Sequence, residues 1–191
     1  FQMYNAIIFD FGNTLAASVS LTEALSHLVD KEKALIAGAK IEQEIGALYQ
    51  PDQSLQPDWK DIWQRSFDLA GLPFSEQIGR RHLEMFCQSM VLFPNVAELL
   101  NALIGKGITL GLLSNVTGPH DIFQKDLDSR GLTQYFDSVV WSSAVGYRKP
   151  SRNVFEIMLA NLGVDAKNTL MIGDSEIADI AGATQVGMDT A

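Results

Sequence analysis

The sequence contains a single cysteine among 191 residues, so no disulfide can form within the chain. Positive charge is also scarce, with 14 Lys and Arg against 23 Asp and Glu and a formal net charge of −9. This balance argues against nucleic acid or an anionic membrane surface as a partner, because no basic excess is available to displace counterions. No apolar run approaches the ~20 residues that a transmembrane helix needs, and no signal peptide is recognisable. These absences favour a cytoplasmic protein.

The composition is nevertheless that of a folded domain. Hydrophobic residues make up 47% and charged residues 19% of the chain, which is enough apolar material for a core and too little charge for disorder. The length allows one domain with a small insertion. Phe1 and Gln2 stand before Met3, and we interpret them as the remnant of a cleaved expression tag.

Four short apolar runs follow the same pattern, in which each run ends in small polar or acidic residues. Their branched and aromatic residues predict strands that are buried on both faces. Helical periodicity lies between them, so we expect an α/β fold with a parallel sheet covered by helices. One helix is predicted from Pro150 onward and another to end before Gly105. The four runs are Ala6–Phe9, Ile108–Leu113, Ser138–Trp141 and Thr169–Ile172.

Ligands of such sheets bind outside the carboxyl ends of the strands. The residues at these ends are Asp10, Ser114, Asn115 and Asp174. The sequence therefore predicts a site at this edge of the sheet.

The stretch from residue 16 to residue 90 breaks the alternation and is interpreted as helices only. We expect it to form a helical bundle inserted after the first strand, with Pro51 to Pro57 and Gly71 to Pro73 as connectors. The domain boundaries that follow are 3–15 and 91–191 for the core and 16–90 for the insertion. Four apolar stripes at helical spacing support this: Leu21, Leu25 and Leu28; Ile41, Ile45 and Leu48; Trp59, Ile62, Trp63 and Phe67; Ile78, Met85 and Phe86.

Four motifs in order along the chain resemble those of the haloacid dehalogenase-like (HAD) hydrolase superfamily. The resemblance covers nearly the whole chain, and it implies a three-layer Rossmann-like core with an α-helical cap at the position of the insertion. Each motif is weak alone, whereas four at the ends of predicted strands or at the start of the next helix are specific. They are Phe9–Leu15, Leu112–Asn115, Val145–Pro150 and Ile172–Ser175, the last followed by Asp179–Ala183.

The charges of these motifs point to a metal. Asp10, Asp174 and Asp179 are expected to converge, and two carboxylates ~4 Å apart repel by about 4 kcal/mol at an effective dielectric near 20. Lys149 supplies one compensating charge, and Mg²⁺, which prefers oxygen ligands and accepts phosphate oxygens, supplies the rest.

The resemblance also implies the role of each residue. Asp10 is the expected nucleophile, which forms an aspartyl-phosphate, and it is a metal ligand together with the Gly12 carbonyl and Asp174. Asp179 is expected to hold metal-bound water. Ser114, the Asn115 backbone and Lys149 are expected to bind the phosphate, and Lys149 to neutralise charge in the transition state. The implied function is Mg²⁺-dependent hydrolysis of a small phosphorylated metabolite.

The sequence departs from the phosphatase pattern at Gly12, where the family usually carries a second Asp as general acid and base. Such a group contributes ~10²–10⁴ in rate. We therefore expect substrates with good leaving groups, such as anomeric, acyl or aryl phosphates. Glu176 or a cap residue is an alternative source of the proton.

Other functions stay open at this point. A metal-independent 2-haloacid dehalogenase also lacks the second Asp. A phosphonatase needs a cap lysine, for which Lys31, Lys33, Lys40 and Lys60 are available. A phosphosugar mutase is disfavoured, since it relies on the missing acid. A catalytically weakened member that acts as a binding module is the non-enzymatic alternative.

Simpler structural roles compete with the functional ones. Asp174 and Ser175 resemble a helix cap, and Arg80–Arg81 a solvated helix face rather than an anion grip. His82 is expected to be partly buried. Cys87, Trp59 and Trp63 are expected to pack in the interior.

Overall fold

The computed structural model describes residues 4–191, so the tag interpretation of Phe1 and Gln2 lies outside the described residues. The strands are β1 (Ala6–Phe9), β2 (Ala16–Ala17), β3 (Val91–Leu92), β4 (Thr109–Ser114), β5 (Ser138–Trp141), β6 (Thr169–Ile172) and β7 (Asp189–Thr190). The α-helices are α1 (Leu21–Ser26), α2 (Lys31–Ala47), α3 (Trp59–Leu69), α4 (Glu76–Ser89), α5 (Val96–Ile104), α6 (His120–Ser129), α7 (Ser142–Val145), α8 (Arg152–Leu162) and α9 (Gly182–Gln185). A π-helical segment, Glu176–Ala181, precedes α9.

Five strands form one parallel sheet in the order β5-β4-β1-β6-β7. The central strand β1 aligns Ala6 with Thr109 on one side and with Thr169 on the other. Its side chains alternate between two apolar cores, with Ile7 and Phe9 in the core that includes α5 and α6 and Ile8 in the core that includes α8. The sequence of a strand that is buried on both faces is an unbroken apolar run. The predicted α/β fold is therefore confirmed.

The predicted strands match the observed ones except at two points. Strand β4 begins and ends one residue later than predicted, so Ser114 is its last residue rather than the first residue after it. Strand β7 was not predicted, because two residues carry no pattern. The helix expected from Pro150 begins at Arg152 instead, since the Ser151 hydroxyl accepts the Asn153 N–H and caps the helix start.

The region between β2 and β3 contains α1 to α4, which pack around an apolar core that Ile122 of α6 also joins. Side chains of Ser20, Asp30, Asp58 and Ser75 cap the four helix starts. The expectation of helices only from residue 16 to 90 was wrong at its start, because Ala16–Ala17 pairs antiparallel with Val91–Leu92. This two-stranded ribbon lies where the chain leaves and re-enters the sheet. Within residues 4–191, no helix combines the length and apolar character that crossing a bilayer requires.

Candidate active site

The candidate site lies at the carboxyl end of β1. Asp10 directly follows this strand, and its N–H donates to the Ile172 carbonyl at 2.9 Å, which ties it to the end of β6. The chain leaves β1 for β4 on one side and later returns to β6 on the other. Such a reversal of strand order opens a crevice outside the strand ends. Asp174, two residues beyond β6, lies in the same crevice.

Three carboxylates meet there. Asp10, Asp174 and Asp179 each offer an oxygen, and these oxygens all lie within 4.8 Å of one another. Asp10 and Asp179 are buried, whereas Asp174 is exposed. The Asn13 side-chain amide donates to Asp174 Oδ2 at 3.3 Å. The structure thus brings together acidic residues that are up to 169 positions apart in the chain.

Lys149 joins the two buried carboxylates. Its Nζ donates to Asp10 Oδ1 at 2.7 Å, to Asp179 Oδ1 at 2.5 Å and to the Leu113 carbonyl at 2.8 Å. The side chain is fully buried. Burial alone would lower the pKa of Lys149, but the Asp10 and Asp179 carboxylates outweigh it and raise the pKa above its ordinary value. The charged form of Lys149 is therefore favoured in this site.

One lysine does not balance three carboxylates. Burial raises the pKa of Asp10 above its ordinary value; Lys149 opposes this rise and Asp179 adds to it. A divalent cation would remove this deficit of positive charge. Carboxylate oxygens are the ligands that Mg²⁺ prefers, so the chemistry of the three acids fits this ion.

The two expected phosphate-binding residues differ in how their side chains are used. Ser114 ends β4 and lines the cavity beside Asp10. The Asn115 side chain is already paired, since its amide donates to the Lys149 carbonyl at 2.9 Å and its oxygen accepts the Lys149 N–H at 2.8 Å. This reciprocal pair fixes the backbone that carries the lysine. It leaves the Asn115 side chain in a positioning role.

Asp179 is held by its own segment. Its Oδ2 accepts the Ser175 N–H at 3.0 Å, and Lys149 takes the other oxygen. Any Cβ at residue 173 would overlap the Asp179 carboxylate, so only glycine fits there. Ser175, rather than Asp174, caps the helical segment that follows by accepting the Ala178 N–H at 3.1 Å. Asp174 is thereby left facing the crevice.

A cavity of about 460 Å³ extends from the carboxylates towards α1, α2 and α4. Gly12 lines it, together with Ser18 and Tyr49, which sequence reasoning missed because neither belongs to a motif. Glu176 is exposed and, among residues 4–191, does not line this cavity. Neither do the four lysines considered for a phosphonatase, three of which have partners elsewhere: Lys33 contacts the Gly71 carbonyl, Lys40 pairs with Glu44 and Lys60 with Glu76.

The remaining candidates have structural partners. His82 was expected to be partly buried but is fully buried, with Nδ1 accepting from Trp63 Nε1 at 3.1 Å and Nε2 lying 2.7 Å from the Leu21 carbonyl. Burial lowers the pKa of His82 to about 4. Arg80 pairs with Asp121, and Arg81 with Glu84. Cys87 is a buried thiol whose pKa burial raises to about 12, which disfavours the thiolate that a nucleophilic cysteine needs.

Fold and site together define a Rossmann-like α/β protein whose candidate active site consists of three carboxylates and one lysine. The family model described as haloacid dehalogenase-like hydrolase matches residues 7–191, and the chain belongs to this family.

Phosphatases are among the curated relatives that match the chain by sequence. Ribulose-1,5-bisphosphate 5-phosphatase of Halopiger xanaduensis is 34% identical over 113 residues, which cover 59% of this chain and 46% of the relative. Glyceraldehyde 3-phosphate phosphatase of Methanothermobacter thermautotrophicus is 38% identical over 96 residues, which cover 50% of this chain and 42% of the relative. The matched segments thus span less than half of these relatives.

Solved structures also share the fold, and two of them illustrate the likeness. The putative HAD-hydrolase YfnB of Bacillus subtilis, bound to magnesium, superposes with a TM-score of 0.77 at 21% identity, covering 98% of this chain and 87% of that one. L-2-haloacid dehalogenase of Xanthobacter autotrophicus gives a TM-score of 0.72 at 19% identity, covering 98% and 76%. At these identities the likeness concerns the fold alone.

Proposed function

We propose that the chain is a Mg²⁺-dependent phosphohydrolase that cleaves a small phosphorylated metabolite through an aspartyl-phosphate on Asp10. The observation that carries this proposal is the meeting of Asp10, Asp174 and Asp179 beside the buried Lys149. The phosphatase names of both curated relatives support the same reaction. In the metal-independent dehalogenase reaction, the nucleophilic carboxylate attacks carbon, and that reaction does not require a cluster of three carboxylates that could bind a metal.

The positions of these groups support the following reaction. A carboxylate oxygen of Asp10 attacks phosphorus and forms an aspartyl-phosphate, while the bond from phosphorus to the leaving oxygen breaks. The electron pair of that bond stays on the leaving oxygen, which departs as the anion and takes up a proton from water. Water then attacks phosphorus, which releases inorganic phosphate and restores the carboxylate. Lys149 offsets the negative charge of the phosphoryl group, and Ser114 with the Asn115 N–H holds its oxygens. Mg²⁺ bound by Asp10, the Gly12 carbonyl and Asp174 would neutralise phosphate charge, and Asp179 would orient its water.

The proposal includes a division of the chain. Residues 3–15 and 91–191 form the catalytic core, and residues 16–90 form a cap that covers the site. The apolar core that α1 to α4 build between them, joined from outside by Ile122 of α6, supports this division. The position of the cavity between those helices and the carboxylates supports a role of the cap in substrate binding.

Hydrolysis of p-nitrophenyl phosphate tests the proposal. We expect turnover that needs Mg²⁺, is abolished by EDTA and falls by about 10³-fold or more in Asp10→Asn, because the amide is no nucleophile. Asp52→Asn, in an exposed connector, is the matched control and should retain wild-type turnover.

Other outcomes identify the alternatives. Chloride release from a 2-haloacid that survives EDTA would establish the dehalogenase, which the absence of a side chain at Gly12 also suits. If the protein showed neither phosphatase nor dehalogenase activity and no covalent adduct formed on Asp10, the remaining alternative would be a non-enzymatic binding module.

A further inference from the structure

We infer that the site takes a phosphate monoester whose organic part is uncharged and presents an apolar or aromatic face. The inference rests on the proposed function and concerns the end of the cavity away from the carboxylates. It follows from what lines that end and from the positive charges that are missing there.

The cavity has two unlike ends. The carboxylates and Lys149 occupy one end, where the phosphoryl group would lie. The walls beyond them are mainly apolar and aromatic, with Ile45 and Phe86 from the helical region, Phe123 from α6 and Trp141 from the end of β5. Walls of this kind bind an apolar body and offer little to a charged one.

Lys149 is the one cation among the described residues that line the cavity. Its ammonium already contacts Asp10 and Asp179. A further carboxylate, Asp126, also lines the cavity, but Arg130 neutralises it at 2.7 Å. The Arg130 guanidinium is occupied as well, because it donates to the Cys87 and Met90 carbonyls. No lining cation is therefore available to a second anionic group.

Arg148 needs separate consideration, because it has no carboxylate partner in the described part of the chain. It is fully buried and is not part of the cavity wall. Its guanidinium carbon lies 5.5 Å from the centre of the Tyr49 ring, and Nη1 donates to Thr117 Oγ1 at 3.2 Å. Tyr49 does line the cavity, so the residue that Arg148 contacts forms part of the wall and the guanidinium does not. A second anion would thus lose its water without gaining a partner, which is unfavourable.

A matched pair of substrates tests this inference. 4-Carbamoylphenyl phosphate and 4-carboxyphenyl phosphate have nearly the same shape and differ by one negative charge. In the presence of Mg²⁺, we expect kcat/KM for the amide to exceed kcat/KM for the carboxylate by about tenfold or more. A ratio near one, or a preference for the carboxylate, would overturn the inference and leave the phosphohydrolase intact. No turnover of either ester would overturn both.

A charge placed in the wall gives a second test. Ile45 is half-buried and lines the cavity. Ile45→Lys should raise the relative kcat/KM of the carboxylate by about tenfold, whereas the uncharged Ile45→Met should keep the wild-type ratio. Equal ratios in the two folded variants would contradict the inference. If the lysine variant does not fold, the wild-type ratio decides alone.

Discussion

Residue 12 is where the chain departs from the usual phosphatase pattern, and the structure shows what lies beside it. A Cβ built on Gly12 would come within 3.1 Å of Ser18 Oγ. The space next to the glycine is thus partly occupied by a hydroxyl, which must shift to admit a larger side chain.

Gly12 has no side chain that could protonate the leaving oxygen. The wild-type enzyme should therefore cleave aryl phosphates faster than alkyl phosphates, since phenolates leave without protonation.

Gly12→Asp should restore a proton donor. We expect kcat for a simple alkyl phosphate to rise by about 10²-fold, at the low end of what a positioned acid contributes, and kcat for p-nitrophenyl phosphate to change much less. Gly12→Asp with Ser18→Gly should gain more than Gly12→Asp alone, because the hydroxyl is removed. Steady-state kinetics on the two substrates measures both effects. An equal change on both substrates would contradict the assigned role of residue 12.

His82 makes the stability of the helical region depend on pH. Trp63 Nε1 donates to its Nδ1, so the ring proton lies on Nε2 and is donated to the Leu21 carbonyl. A second ring proton would face the Trp63 N–H. The folded protein therefore resists protonation, in agreement with a pKa lowered to about 4 by burial.

The free energy of unfolding depends on pH because His82 has different pKa values in the folded and the unfolded chain. The unfolded chain binds a proton at His82 near pH 6.5 and the folded chain only near pH 4, so the stability falls as the pH decreases between these values. A difference of about 2.5 pKa units corresponds to about 3 kcal/mol. Urea unfolding from pH 7 to pH 4 should show this loss in the wild type and a smaller one in His82→Gln. Parallel pH profiles of the two proteins would refute the assignment.

Among the structural elements, the connector between α2 and α3 has a role that its composition hides. Its residues Ser54–Gln56, here called the strap, pair with the loop that precedes Lys149: the Arg148 N–H donates to the Ser54 carbonyl, and the Gln56 N–H to the Gly146 carbonyl. The Gln56 side chain donates to the Val116 carbonyl at 2.9 Å and accepts from Ser142 Oγ at 2.8 Å. The strap thus ties the helical region to the loops of the site.

Removing the Gln56 amide should loosen this connection. We expect Gln56→Ala to lower the free energy of unfolding by about 1–2 kcal/mol, because it removes the hydrogen bonds of the Gln56 amide to the Val116 carbonyl and the Ser142 hydroxyl, and to speed hydrogen exchange at Val116. Gln53→Ala is the matched control, since the Gln53 side chain makes no hydrogen bond among residues 4–191. Equal free energies of unfolding for the two variants would show that the Gln56 side chain does not stabilise the connection between the strap and the site.

For the whole molecule, the sequence predicts the sheet better than the details around it. Apolar runs of four to six residues that end in polar groups identify β1, β4, β5 and β6, because a strand buried on both faces needs such a run. The two-residue strands β2, β3 and β7 carry no comparable pattern. Asp10, Asp174 and Lys149 are visible at strand and loop ends, whereas Ser18, Tyr49 and the strap reach the site through tertiary packing that no local spacing encodes.

The central claim is that Asp10 is a nucleophile assisted by a divalent ion at the shared carboxylates. Fluorine NMR with beryllofluoride, which mimics an aspartyl-phosphate, tests it most directly. The account predicts a bound resonance that requires Mg²⁺ and is absent in Asp10→Asn and Asp174→Asn. A bound resonance without Mg²⁺, one that survives in Asp10→Asn, or none in the wild type would contradict it.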